Sequence, residues 1–456
     1  MKHLWRALFT LTGAAILGGL WSVGFILPPD PEAVSGVDPA SIDAALRSDP
    51  EVPLSVGQTD VLLIIACTLR RDRLEPYGHT RPTSPFLDRL SDSGVRFDSH
   101  FAQAPWTRPS VGSIITGRWP RILQLDNPGR RGTLSLVLQA SQTTLAEVLS
   151  GEGYRTFSAT GNPNIKDVFG FQQGVEAFVE PEGQWSEGGT HTDDAELVDA
   201  TLNFANTLAP DERLFARVVL TGAHLPRQIA WRDRGLFTGS KKTLIDPYDT
   251  ALRRLDAQIA RLVTGLSDRN LLVVVVADHG EGLNLPTHHG TGHGNHLYPS
   301  TVAVPLLLHH PSFPSGHVVS GLSMNIDLHP TLLSLLGVTR QHPVDGADLS
   351  SAVLGEPETG NPRVFAETFY RKAKKSAVAD ETHLLIRDNR RKTDTLYARS
   401  DPGATQPLSD PMLAARLGSV LTAWESDRAA SITRQPQEVE LSEETRRQLE
   451  VMGDLE

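Results

Sequence analysis

Asp60-Val61-Leu62-Leu63-Ile64-Ile65-Ala66, followed at once by Cys67-Thr68-Leu69-Arg70-Arg71-Asp72, is where the reading of this chain begins. An unbroken apolar run of this length, lacking the polar alternation of a half-exposed strand, suits a strand buried on both faces of a parallel sheet. Leu214 to Leu220 and Leu271 to Ala277 repeat the pattern, and Tyr154 to Ala159 reads as another strand. Helical spacing lies between these runs. Phe86, Leu87, Leu90 and Val95 follow Ser84 and Pro85, a plausible cap and first helical position, and Gly94 stops that helix. Leu145 to Leu149 reads as a further helix, and Leu252, Leu255, Ile259 and Leu262 recur at threes and fours within residues 248–266. Strands and helices in turn predict an open α/β sheet with helices on both faces.

Ligands in such sheets sit beyond the carboxyl ends of the strands, so the residues after each apolar run carry the functional expectation. Three places stand out: Cys67 to Asp72, Thr221-Gly222-Ala223-His224, and Asp278-His279-Gly280-Glu281. Asp278 and His279 pair a hard oxygen donor with a borderline nitrogen donor and are candidate metal ligands. The competing reading has Asp278 capping the next turn. A loop with His288, His289, His293 and His296 offers more imidazoles, of which one is expected to be functional. Pro105 to Gly117 reads as a loop entering a short helix, with Thr107 near its start. The positive end of the helix dipole there would stabilise an alkoxide or oxyanion. Thr107 serves equally well as a simple N-cap.

Composition narrows the classes. The chain has 456 residues, 39% hydrophobic and 21% charged, with 38 glycines and 31 prolines, which excludes a coiled coil, collagen and a largely disordered chain. Lys plus Arg number 43 against 54 for Asp plus Glu, a formal net charge of -11, so no nucleic-acid partner is expected. The single cysteine, Cys67, forbids an intramolecular disulfide and a CxxC site. Lys2 and Arg6 precede an uncharged run from Ala7 to Leu27, long enough to cross about 30 Å of hydrocarbon. Residues 1–28 are therefore expected to be an uncleaved transmembrane anchor, a long signal peptide being the alternative. The positive-inside tendency then places the rest of the chain on the extracytoplasmic, periplasmic side. Residues 29–58, rich in Pro, Asp, Ser and Gly, read as a linker.

From Asp60 onward the chain resembles the sulfatase family of the alkaline phosphatase superfamily. The matching pieces are Thr68-Leu69-Arg70 with Asp72 and Tyr77-Gly78, Pro109-Ser110 with Ser113 and Thr116-Gly117-Arg118, and Asp278-His279-Gly280-Glu281. Gly292-His293-Gly294, Val304-Pro305-Leu306 and Asp345-Gly346 extend the match. The resemblance implies a large mixed, mostly parallel sheet over residues 59–340, completed by a smaller C-terminal subdomain at 341–456. It also implies a metal-dependent ester-cleaving site. By position it makes Thr107 the nucleophile, Asp278, His279 and Cys67 metal ligands, and His224 and His293 catalytic histidines at the ester or its leaving group. Arg70 and Arg108 are expected to bind the anionic substrate, the equal alternative for either being a surface or ion-pair arginine. The ion would be calcium, magnesium, manganese or zinc, with zinc favoured if Cys67 coordinates, because thiolate is a soft ligand.

Two positions depart from the family pattern. Cys67 stands where the family has aspartate, and Thr107 stands where sulfatases proper carry a cysteine or serine oxidised to formylglycine. Val111 also replaces the arginine of the Pro-Ser-Arg signature. These departures leave three readings open: a hydrolase of sulfate or phosphate esters, a membrane-anchored phosphoryl-group transferase acting on envelope acceptors, and a catalytically impaired member that only binds ligand. Substrate identity is expected to lie in loops such as Trp231 to Asp246.

Overall fold

The computed structural model describes residues 36–125, 134–181, 185, 193–227, 229, 233–238, 244–284, 290–357, 360–432 and 434–452. The expected anchor at 1–28 lies outside them, as do His288 and His289. Among the described residues no helix is long and apolar enough to cross a membrane.

Sixteen strands are described: β1 (Asp60–Ala66), β2 (Val95–Phe101), β3 (Leu134–Leu136), β4 (Arg155–Thr160), β5 (Ala177–Val179), β6 (Leu214–Leu220), β7 (Leu271–Ala277), β8 (Gly282–Leu283), β9 (Thr291–Gly292), β10 (Leu306–His309), β11 (His317–Met324), β12 (Val364–Thr368), β13 (Lys375–Ala379), β14 (His383–Asp388), β15 (Thr393–Ala398) and β16 (Glu438–Glu440). Eight of them form the main sheet in the order β11-β2-β10-β7-β1-β6-β4-β5. Only β10 in that sheet runs against its neighbours. The mixed, mostly parallel α/β sheet is as expected.

The apolar runs explain themselves in section. Along β1, Val61, Leu63 and Ile65 belong to the core on one face, while Leu62, Ile64 and Ala66 belong to the core on the other. Side chains alternate along a strand, so a strand with helices on both faces has no polar side to show. A second sheet, β12-β13-β14-β15, carries the helix Pro411–Ala430 and packs through Val378, Leu385 and Leu421 against Phe101, Trp119 and Leu297 of the larger unit.

Local expectations needed correction in two places. Residues 36–58 are not a loose tether. A helix at Pro39–Ala45 buries Ile42, Leu46 joins the core, and the amides of Asp49 and Val56 bond Pro311 and Leu336 carbonyls of the main body. Ser84 does occupy the cap position of the helix Pro85–Ser93, but its hydroxyl makes no cap bond and instead accepts the amide of Glu75. The amides of Phe86 and Leu87 are taken by the remote carboxylate of Asp256, 3.0 and 2.9 Å away.

Burial pushes Asp256 up to about 7, against the pull of those two amides and of Arg253. The unfolded chain holds this proton with a pKa near 4. The carboxyl's contribution to stability is thus full below about 4 and is lost as pH rises through about 7. Asp256→Asn, which cannot ionise, is expected to flatten the fall of Tm between pH 5 and 8. An unaltered slope in thermal melts across that range would refute the assignment.

Candidate active site

Register brings the site together. Ala66 at the end of β1 pairs with Leu220 of β6 on one side and Ala277 of β7 on the other. The next residues, Cys67, Thr221 and Asp278, therefore leave the sheet side by side. Thr68 turns the chain with φ 60°, an uncommon conformation for a β-branched residue. This strained turn sends its amide to Asp278 Oδ1 at 3.2 Å. Gly280 follows the ligand pair for a steric reason, since a Cβ there would meet the Ser300 carbonyl oxygen at 2.1 Å.

Thr107 is the first residue of the helix Thr107–Thr116, and Trp106 holds the cap position without a side-chain cap bond. The N-cap reading of Thr107 therefore fails, and its hydroxyl is left to the site. Thr107 Oγ1 lies 3.2 Å from His279 Nε2 and 3.6 Å from Cys67 Sγ, and it accepts Asn162 Nδ2 at 3.2 Å. The same Asn162 amide donates to Cys67 Sγ at 3.3 Å. His279 Nδ1 faces the Gly280 carbonyl at 2.9 Å, which places the proton on Nδ1 and the lone pair on Nε2, toward Thr107.

Cys67, Asp278 and His279 each offer a ligand atom, all within 4.8 Å of one another, and all three residues are buried. Asp278 Oδ1 takes the amides of Thr68 and His279, while its buried Oδ2 accepts no hydrogen bond among the described residues. Burial lifts the Asp278 carboxyl to about 6. Burial, and then the neighbouring Asp278 charge, push the Cys67 thiol well above the usual range. An orphaned buried oxygen beside a sulfur and an imidazole nitrogen is a donor set that fits a divalent ion of borderline to soft character.

His224 and His293, the two histidines expected to be catalytic, line a second side. The His293 ring lies 4.4 Å from the His279 ring and tilted to it, and His224 lies 5.1 Å from His293 with Trp185 at its edge. His293 Nδ1 is 3.5 Å from Glu281 Oε1. Burial raises the Glu281 carboxyl, but His293, His224 and Arg227 together hold it down at about 2. It is an anion beneath the histidines.

The sulfatase family model matches residues 59–338. The chain belongs to the sulfatase family. Arylsulfatase A of Bos taurus is 28% identical to this sulfatase-family chain over 374 residues, covering 68% of this chain and 71% of that protein. A structure solved with its substrate D-glucosamine-2-N,6-O-disulfate superposes with TM-score 0.67 at 16% identity, covering 82% of this chain and 98% of that one. A phosphonate monoester hydrolase of Agrobacterium radiobacter superposes with TM-score 0.62 at 19% identity, over 82% and 96%. This family of ester hydrolases generally uses a divalent metal ion.

In this sulfatase-family site the two arginines expected to bind substrate are committed elsewhere. Arg70 is 1% exposed and spends Nε and Nη2 on Asp72 and Nη1 on the Glu281 carbonyl. Arg108 is fully buried, bonded to Asn164 and Ser135, with its guanidinium 3.9 Å over the Phe169 ring. Both are structural. Val111 is fully buried among apolar side chains, so the charge that the family's arginine would bring is absent at that position. His296 lies apart from the others, 3.3 Å from Lys375 Nζ.

Sequence reading missed Asn162 and Asp194. Asn162 follows β4, a strand that was read, and the same strand-end rule would have found it. Asp194 takes the amides of Thr221 and Gly222 at 2.8 and 2.9 Å and so fixes the segment that carries His224. Asn162→Ala removes the donor shared by Thr107 Oγ1 and Cys67 Sγ. Turnover is expected to fall about 10- to 100-fold, as when an outer partner of a ligand is lost. Steady-state kinetics with unchanged kcat would show the amide to be a bystander.

Proposed function

We propose that this sulfatase-family protein hydrolyses a sulfate or phosphate ester through a covalent intermediate on Thr107, with a divalent ion, zinc by preference, held by Cys67, Asp278 and His279. The observation that carries the reading is the meeting of Thr107 Oγ1 with His279 Nε2 and Cys67 Sγ at the N-terminal end of a helix. When bound, the ion would supply positive charge that lowers the hydroxyl pKa and neutralises the transferred group.

The chain's own residues do the rest. Thr107 gives its hydroxyl proton to solvent as its Oγ1 forms a bond to sulfur or phosphorus, and the bond to the ester oxygen breaks on the opposite side. His293 or His224 gives that oxygen its proton, and the Glu281 carboxylate beneath them stabilises the imidazolium that supplies it. Asn162 holds the threonine oxygen in line. Water then attacks the threonyl ester and gives a proton to a histidine, the bond from Thr107 Oγ1 to sulfur or phosphorus breaks, and Oγ1 takes a proton back from solvent. The helix dipole favours negative charge at Thr107 throughout.

The test is to trap the intermediate. In His293→Ala, where release is slowed, mass spectrometry of the peptide containing Thr107 should find a sulfuryl or phosphoryl adduct after incubation with an aryl ester. Absence of an adduct from a variant that still cleaves ester would exclude the covalent route. The reading also places the catalytic unit on the extracytoplasmic side, held by residues 1–28, on the strength of Lys2, Arg6 and the apolar run after them. A reporter enzyme active only outside the cytoplasm, fused after residue 58, checks this.

A further inference from the structure

The second sheet ends in a basic tip. Residues 371–375 lead from β12 into β13 and residues 390–392 lead from β14 toward β15, and apart from Ala373 every one of them is Lys or Arg. Lys375 pairs with Asp388 in the antiparallel register, so both turns fall at one end of that sheet. They touch: Arg390 Nη1 donates to the Lys372 carbonyl at 2.7 Å, and the Asn389 amide donates to the Lys374 carbonyl at 2.8 Å. Lys372, Lys374, Arg390, Arg391 and Lys392 are exposed. The carboxylates of the adjoining strands are already engaged, Asp388 by the amides of Arg390 and Arg391 and Asp394 by the guanidinium of Arg387. On a chain with a formal net charge of -11, the tip is a local field of the opposite sign.

Direct contacts place this tip against the site. The ring of Tyr370, at the start of the first turn, lies 5.3 Å from that of Trp106, the residue before Thr107, and so close over Gly294 that a Cβ there would meet it at 2.7 Å. Thr368 Oγ1 donates to the Gly294 carbonyl at 2.6 Å, and Lys375 Nζ donates to the Asn295 carbonyl at 2.9 Å. Gly294 and Asn295 follow His293 directly, and the Gly294 amide donates to the Pro105 carbonyl at 2.8 Å. The cations therefore sit beside both the loop bearing His293 and the segment bearing Thr107. Residues 36–58 dock elsewhere. Asn270, just ahead of β7, donates to the Pro53 and Gln58 carbonyls, at the ends of β1 and β7 opposite to Cys67 and Asp278. A membrane reached through that segment would lie at the far end of the sheet, which favours a partner in solution for the tip.

We infer that the basic tip binds the onward chain of an acidic polymer, and that the substrate is one ester group of a polymer bearing repeated sulfates or phosphates. The substrate half rests on the hydrolase reading; the binding half does not. Exposed ammonium groups on flexible stems suit a run of anions at variable spacing better than one fixed oxyanion. Attraction of this kind weakens steeply with salt.

The experiment titrates the full-length, zinc-loaded protein with dextran sulfate, polyphosphate and uncharged dextran. It then uses each polymer as an inhibitor of phenyl sulfate cleavage. The native protein should bind one or both acidic polymers and not uncharged dextran, and Kd should rise about 10- to 100-fold over an about fourfold rise in salt. The bound polymer should raise KM for phenyl sulfate and leave kcat alone. Joint substitution Lys372→Gln, Lys374→Gln, Arg391→Gln and Lys392→Gln should weaken polymer binding and inhibition about 10- to 100-fold, with kcat and KM for phenyl sulfate unchanged in the absence of polymer. A control with the same change in net charge, Arg47→Gln, Arg89→Gln, Arg416→Gln and Arg447→Gln, all at exposed positions, should behave as native. Equal affinity in the native protein and the tip variant, or an equal loss in the control, overturns the inference. So does polymer binding that leaves KM for phenyl sulfate untouched, or tip-dependent binding to phosphatidylserine vesicles with none to either acidic polymer. Binding needs no turnover, so tip-dependent affinity in a protein that cleaves no ester upholds the tip and sinks the hydrolase reading alone.

Discussion

Thr107→Ala is expected to lower kcat by about 10,000-fold or more, the scale on which removal of a covalent nucleophile is felt. The loss should appear with both aryl sulfates and aryl phosphates. Folding offers no strong rival explanation, because the Thr107 hydroxyl bonds His279, Cys67 and Asn162 among the described residues, and a hydrogen bond of this kind adds about 1 kcal/mol to stability. Tm should hence stay nearly constant. Thr107→Ser keeps the oxygen and should retain most activity. If Thr107→Ala turned over ester within tenfold of the native rate, the nucleophile would have to be water or another side chain.

The second large effect concerns Cys67. A site with one carboxylate, one imidazole and one sulfur should bind zinc far more tightly than calcium or magnesium. Cys67→Asp replaces the soft donor by a hard one. It is expected to weaken zinc binding by at least about 100-fold, beyond the loss of 10- to 100-fold seen when only an outer partner of a ligand is removed. Cobalt-loaded native protein should show a thiolate-to-metal charge-transfer band, and Cys67→Asp should lack it. Elemental analysis of the two proteins, with the spectrum, decides the question without any turnover assay. A cobalt spectrum identical in the two proteins would mean that the sulfur faces the ion without bonding it.

How much of this was legible beforehand follows from range. Strands β1, β6 and β7 announce themselves because burial on both faces leaves only apolar residues along them. Asp278 and His279, the candidate ligand pair, and His224 sit just past those strands, where the topology of a parallel sheet concentrates function. Thr107 was ambiguous for a local reason: a cap and a first helical residue differ by one position, and only coordinates show that Trp106 occupies the earlier one. Arg70 and Arg108 could not be placed at all. Glu281, a partner of Arg70, and Asn164, a partner of Arg108, are 211 and 56 residues away, although Asp72, which takes two of the Arg70 donors, lies only two residues on. The same distance hides Asp256, whose helical setting conceals that it caps a helix 170 residues earlier. The segment taken as a tether was misjudged because Ile42 and Leu46 are few apolar residues among many polar ones, yet they suffice to dock a short helix.

One seam in the structure sets limits on how a substrate can enter. Ser110, on the nucleophile's helix, donates to the Asp278 carbonyl, and Asn325 donates to Ser110, to Ala277 and again to Asp278. His100 bonds Asn325 and Ser323 from the opposite flank. The helix that begins at Thr107, the end of β7 and β11 are thereby tied together beside Thr107 Oγ1, Asp278 and His279. An ester bound as proposed would then approach from the side of His224 and His293, leaving these tied elements unmoved.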